Sequence, residues 1–211
     1  MDIKRFEVGP FAENTYLLTQ NETSLLIDPG FSNDREFKAF RAKLADSNTR
    51  LSAILLTHAH IDHVLGLPVV LDAFDVDVYL SHEDLHPWKH ISEQAKMFGI
   101  TAGNLDFTPK ELPSDQSFSV DQFEMELLYT PGHAPDHISF YFEKDNMLIA
   151  GDTLFKQSVG RTDLYKGSSD LLRSSIKDKL YSLPDDTVVY PGHGPETTIG
   201  EEKKANPFVT G

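Results

Sequence analysis

Residues 57–63 read THAHIDH and follow directly on the apolar run LSAILL. Three of the chain's 9 histidines and an aspartate fall inside this short stretch. On an extended backbone, His58 and His60 stand two positions apart and point to the same side. Asp62 and His63 follow as the chain turns. The alternative is a polar loop whose histidines face water. Neutral imidazole beside carboxylate suits zinc, iron, manganese or nickel, so the stretch is read as a metal-binding motif.

Three other segments repeat its design. FEMELLYTPGH ends at His133, NMLIAGD at Asp152 and TVVYPGH at His193. Each is a short apolar run, then a small or turn-forming residue, then a potential ligand. Ligands at the carboxyl ends of several strands converge on one crevice. Gly132, Gly151 and Gly192 let the backbone come close without a Cβ in the way. The candidates are His58, His60, Asp62, His63, His133, Asp152 and His193. A single catalytic zinc takes about three protein ligands and a water. Seven ligands, one of them a bridging carboxylate, suit two ions.

Composition narrows the setting. The chain has 211 residues, 39% of them hydrophobic and 25% charged, within the range of globular domains. No run is long and apolar enough to span a bilayer, and MDIKRFEVGP lacks the apolar core of a signal peptide. Without cysteine there is no disulfide, thiolate ligand or cysteine nucleophile. The expected location is therefore cytoplasmic. A net charge of −14 repels phosphate backbones, which argues against a nucleic-acid partner. Neither membrane association nor an obligate protein partner is expected.

Strands are expected at IKRFEV, TYLLTQ, TSLLID, LSAILLT, VDVYLS, FEMELLYT, HISFYF, NMLIA and TVVYPGH. Helical spacing marks DREFKAFRAKLADS, the region from Glu83 to Phe98, and residues 168–182. Residues 64–74 are a weaker helix because of Pro68. Strands and helices alternate, with hairpins among them, so the expectation is an α/β (α+β) arrangement on mixed sheets. No linker interrupts residues 1–211, which read as one domain.

With these motifs assembled, the chain resembles the metallo-β-lactamase superfamily, whose hallmark is His-x-His-x-Asp-His followed by a distant His, Asp and His. The likeness runs from about Asn14 to Phe208. It implies an αβ/βα sandwich of two mixed sheets with helices outside. It also implies that His58, His60 and His133 hold a first metal and Asp62, His63 and His193 a second, with Asp152 bridging. Asp28, in LLIDPG, matches the family's buried aspartate behind the ligands. A turn residue before Pro29-Gly30 is the other reading of it.

Within the superfamily, ENTYLL, THAHIDHVLG, TPGH, AGDTLF and PGHGP resemble the hydroxyacylglutathione hydrolase (glyoxalase II) group. The closing GEEKKANPF resembles its short single-domain form, which lacks the C-terminal glutathione-binding helical domain. The implied activity is hydrolysis of an S-2-hydroxyacylglutathione or a similar small thioester. A hydroxide bridging two divalent ions would attack, with Asp62 orienting its proton. Zinc is the foremost metal, with iron and manganese as alternatives. The family's Gly-Lys-Phe-Tyr stretch is replaced here by Gly160-Arg161-Thr162-Asp163. Arg161 keeps a cation able to hold a substrate carboxylate, or else forms a salt bridge within its own loop. GRTD also occurs in the superfamily's mononuclear iron persulfide dioxygenases, the alternative enzyme, although PGHGP around His193 matches the hydrolases. A non-catalytic metal-binding domain is the third reading. His82, His86 and His90 read as a solvated helix or loop, and His137 as a packing or hydrogen-bonding neighbour of the site.

Overall fold

Leu17 and Leu18 are neighbours in sequence and both fully buried, yet they belong to different apolar clusters. Alternation along a strand sends successive side chains to opposite faces, and here both faces are covered. The computed structural model describes residues 1–103 and 105–211. Its first sheet holds β1 (Asp2–Val8), β2 (Glu13–Gln20), β3 (Thr23–Ile27), β4 (Arg50–Leu55), β5 (Asp77–Ser81) and β6 (Lys110–Leu112), side by side in that order. The pairs β1–β2 and β2–β3 are antiparallel, whereas β3 to β6 are parallel.

The second sheet contains β7 (Ser117–Val120), β8 (Phe123–Tyr129), β9 (Ile138–Phe142) and β10 (Met147–Gly151). A small hairpin of β11 (Leu154–Phe155) and β12 (Ser158–Val159) follows, then β13 (Val188–Pro191) and β14 (Thr197–Thr198) rejoin the sheet. Strand order is β14-β13-β10-β9-β8-β7. Since β9 is antiparallel to both β8 and β10, and β10 is parallel to β13, the strands β8, β10 and β13 run the same way. Their carboxyl ends reach one edge of the sheet.

Leu18, Leu25, Ile27 and Leu55 from the first sheet pack against Phe123, Leu127, Phe140 and Ile149 from the second. The opposite face of the first sheet carries Leu17, Leu26 and Ile54, covered by α1 (Asp34–Ser47), α2 (Ile61–Val64), α3 (Leu67–Ala73), α4 (His86–Lys89) and α5 (Ile91–Met97). Leu148, Ala150 and Val189 on the outer face of the second sheet meet α6 (Ser169–Ser174) and α7 (Ile199–Ala205). This is the αβ/βα sandwich of two mixed sheets that the sequence suggested. Each fully buried leucine or phenylalanine adds roughly 1.5–3 kcal/mol of apolar burial.

Helix boundaries follow local chemistry. Asn33 caps α1 by accepting from the backbone N–H groups of Arg35 and Glu36, and Asn48 ends it in a left-handed conformation at φ 52°. The stretch at 64–74 is divided: Pro68 opens α3, as its missing N–H allows in a first turn. The long helix expected from Glu83 to Phe98 is instead α4 and α5, with Pro87 in the first turn of α4 and a break at His90. The helix expected at 168–182 loosens into a π turn at Ser175–Lys179 and a 3₁₀ turn at Leu180–Ser182. GEEKKANPF supplies α7, whose Glu202 is buried and accepts from Thr197 Oγ1, Gln157 N–H and Asn206 Nδ2.

Candidate metal centre

The THAHIDH stretch leaves β4 and enters α2 at the edge where β8, β10 and β13 end, so all seven candidate residues meet there. Around one point, His60 Nδ1 lies 2.8 Å from His133 Nε2 and 3.1 Å from His58 Nε2, with 3.2 Å between the last two. His133 Nδ1 donates to the carbonyl of Arg161 at 2.8 Å, which leaves its Nε2 bare. Thr57 Oγ1 donates to Asp28 Oδ2 at 2.6 Å and so accepts from His58 Nδ1 at 3.0 Å, leaving that Nε2 bare as well. The bare nitrogens of His58 and His133 repel unless a cation, or a proton on His60, lies between them. Ligands about 2.1 Å from a tetrahedral ion stand roughly 3.4 Å apart, close to this spacing.

A second group adjoins it. His193 Nε2 is 3.3 Å from Asp62 Oδ2, and His63 Nε2 is 4.0 Å from the same oxygen. Asp152 lies between the groups, with Oδ2 at 3.4 Å from His133 Nε2 and 3.5 Å from His193 Nε2, and Oδ1 at 3.4 Å from His63 Nε2. His63 Nε2 and Asp152 Oδ1 are buried and have no hydrogen-bond partner, an expensive condition that a bound cation relieves. At Gly192 any Cβ would overlap Asp152 Oδ1, so the PGH turn can approach the carboxylate only with glycine there. Donor set and geometry fit divalent metal.

Comparison with known proteins identifies the family. The metallo-beta-lactamase superfamily profile matches residues 8–193. The chain belongs to this superfamily. Over 99% of its length it is 36% identical to hydroxyacylglutathione hydrolase GloC of Haemophilus influenzae, of which it covers 98%. The crystal structure of BLEG-1 B3 metallo-beta-lactamase matches with a TM-score of 0.90 at 36% identity, covering 100% of both chains. TTHA1623, solved in a di-iron-bound form, matches at a TM-score of 0.87 and 36% identity over 98% of this chain and 100% of that one. The protein is thus a metallo-hydrolase of the metallo-beta-lactamase superfamily. Among the described residues, no helix is long and apolar enough to cross a membrane.

The two halves of this superfamily site differ electrostatically. Burial pushes His58 and His133 below the ordinary histidine value and takes His60 to about 3. Burial acts the same way on His63 and His193, but carboxylates override it. Asp152, Asp28 and Asp62 raise His63, and bonds to Asp152 and Asp62 carry His193 up to about 10. Asp152 is held well below the carboxylate range against its burial, because His63 and His133 face it.

Residues behind the ligands set their orientation. Asp28 is buried at a left-handed φ of 47° and accepts from Thr57 N–H, Thr57 Oγ1 and His63 Nδ1, the last at 2.9 Å. Such a partner fixes the tautomer that turns His63 Nε2 inward. His137 accepts the backbone N–H of Asp152 through Nε2 at 3.0 Å, so it positions the central carboxylate from behind. Arg161 lines the cavity beside the site, and its guanidinium makes a two-pronged pair with Asp163 at 2.7 and 2.9 Å. His86 and His90 stack at 3.8 Å, away from the ligand cluster, and His86 stacks on Tyr165 at 4.0 Å.

Several supporting residues carry no sequence signal of their own. Gln94 accepts from Ile61 N–H and donates to the carbonyls of Ala59 and Pro87, while Asp136 accepts from Ala59 N–H. Both brace the backbone of the histidine motif from a distance in sequence. Asn14 donates through Nδ2 to the carbonyls of Pro191 and Gly194, and its N–H donates to Gly192. Tyr16 donates to Pro191 as well. ENTYLL, used above only as a mark of resemblance, is thus a clasp on the turn that carries His193. Glu13 is fully buried with Oε1 unpartnered, 3.9 Å from His63 Nδ1, and burial raises its pKa well above the carboxylate range.

Proposed function

We propose that this metallo-hydrolase is a binuclear thioesterase of the glyoxalase II type, acting on an S-2-hydroxyacylglutathione or a similar small thioester. The observation that carries the reading is the pair of adjoining ligand groups sharing Asp152, open on one side to a cavity of about 390 Å³. His58, His60 and His133 would hold one ion and Asp62, His63 and His193 the other, with Asp152 between them. Bound there, two divalent ions supply a water acidified toward neutrality and a Lewis acid for an acyl oxygen. Zinc leads among the candidate metals, with iron and manganese as alternatives.

The protein's own groups orient the reaction. Asp62 is the ligand carboxylate on the cavity wall that keeps partial exposure, 17% of its side chain, so it can accept the proton of an attacking water. A thiolate leaves readily, and the cavity needs no strong general acid to assist it. Arg161 is the wall cation that a carboxylate on the thiol carrier would meet, after exchanging its partner Asp163.

The test is hydrolysis of S-lactoylglutathione by the purified protein, with metal counted on the same sample. Rapid turnover with two metals per chain is expected. One iron per chain, no hydrolysis and oxygen uptake with glutathione persulfide would replace this reading with the dioxygenase.

A further inference from the structure

The cavity beside the ligands has two unlike walls. One is made by His60, Asp62, His133, Asp152 and His193. The rest of the cavity's lining includes Phe11, Ile61, Phe98, Phe155, Val159 and Leu164. Phe11 precedes β2 and Phe98 ends α5, so these two come from distant parts of the chain. They nevertheless meet edge to face, 5.2 Å between ring centroids. Both remain open, at 36% and 40% exposure, among the few large apolar side chains of the protein that do. Phe155 sets its ring against that of His193, 6.0 Å between centroids, so the apolar wall begins at the ligands themselves.

Two polar residues of this lining, Gln94 and Arg161, already have protein partners. Gln94 spends its amide on the backbone of Ala59, Ile61 and Pro87. Arg161 is the cation lining the cavity, and Asp163 neutralises it through two hydrogen bonds. What the wall offers a ligand is therefore open aromatic and aliphatic surface. A net charge of −14 adds no general attraction for an anionic carrier such as glutathione.

We infer that the cavity selects thioesters carrying an apolar, ring-sized group next to the reacting carbonyl, with Phe11 and Phe98 as the residues that set this specificity. The inference rests on the thioesterase reading and gives it a substrate class. A phenyl ring placed on the wall removes roughly 50–60 Å² of apolar surface from water, equivalent to about tenfold in affinity. Ring and carbonyl would then be held by different walls, as in pockets where a few polar groups orient a ligand held by apolar contact.

The first measurement is calorimetric binding of mandelate and of lactate to the metal-loaded protein, and to Phe98→Ala at matched metal content. Phe98 is exposed at a helix end, so its truncation leaves the core intact. Mandelate should bind about tenfold tighter than lactate, with the ratio falling below about threefold in Phe98→Ala. Equal binding of the two acids, with no kinetic gain for either ring-bearing thioester, would overturn the inference. Kinetics then locate the ring, comparing S-lactoylglutathione with S-mandeloylglutathione and with the lactoyl thioester of phenylmethanethiol. A tenfold gain in kcat/KM for either ring-bearing thioester supports the proposal and shows which side of the carbonyl faces the wall. If all three are cleaved alike and mandelate binds no tighter, the apolar selection fails and the thioesterase stands. If none is cleaved but mandelate is still preferred, the thioesterase fails and the apolar wall stands.

Discussion

At the scale of single residues, the site is organised by which histidines hold protons. His58, His60 and His133 are all pushed down, His60 to about 3, so this trio has less protonation to overcome than ordinary histidines. His193, raised to about 10, is protonated at neutral pH in the metal-free protein, and three carboxylates raise His63 as well. An ion entering between them must expel the His193 proton, and a ligand with a raised pKa competes hardest at low pH. Affinity at the Asp62–His63–His193 position should therefore climb with pH, about tenfold per unit below pH 10 for the proton expelled from His193. The trio should load with a weaker dependence on pH, because burial pushes all three histidines down. Calorimetric titration of metal-free protein in buffers of different ionisation enthalpy counts the protons directly. Equal release at both positions would contradict the assignment. The candidate ligands were legible in the sequence because a metal needs specific side chains, and four of them sit within one turn of chain. Asn14, Gln94 and Asp136 were not, since a hydrogen bond to a remote carbonyl or N–H leaves no local pattern.

Among the elements, the first sheet's opening hairpin governs a ligand borne by the second sheet. Glu13 bridges His193, Asn14 makes three hydrogen bonds to the 191–194 turn, and His193 Nδ1 donates to the carbonyl of Phe11 at 3.1 Å. Removing the Asn14 amide frees two carbonyls and loosens this turn while leaving the trio, held by β4 and β8, in place. Asn14→Ala should lower affinity at the His193 position by roughly 10–100-fold, the usual cost of losing an outer support of a ligand. Metal content after dialysis against a weak chelator should fall from two per chain toward one, with the melting cooperativity retained. Loss of both metals together would show that the clasp is structural only. Strand positions were readable from alternation and apolar runs. The short strands β6, β7, β11, β12 and β14 were not, because two to four residues are too few for a period to emerge. The helix expected from Glu83 to Phe98 was overextended: its apolar spacing continues through His90, whereas packing of Trp88 and Ile91 into the core requires a change of direction there.

Across the whole molecule, the ligands come from the carboxyl ends of four strands in both sheets, so an ion at the centre cross-links the sandwich at one edge. A ligand that binds only the folded state stabilises it by mass action, about 4 kcal/mol at a thousandfold excess over Kd. For a chain of this size, that raises Tm by roughly 8–16 °C. Scanning calorimetry with and without chelator should show such a drop on metal removal. A Tm unmoved by chelation would mean that the cluster holds no metal under those conditions.

What the sequence by itself determined is the kind of chemistry and the layering: imidazoles and carboxylates at strand ends, and apolar runs that demand cover on both faces of two sheets. Those follow from residue type and short-range period, which are properties of the chain alone. Only the tertiary structure decided what surrounds the candidate ligands. Tautomers and charges depend on which carbonyl, hydroxyl or carboxylate lies behind each ring, and Asp28, Arg161 and Phe11 reach their histidines from 35, 28 and 182 positions away. The apolar wall likewise exists only because the loop before β2 and the end of α5 are folded against each other. Contacts of that range are set by the packing of whole layers, and no local pattern in the sequence encodes them.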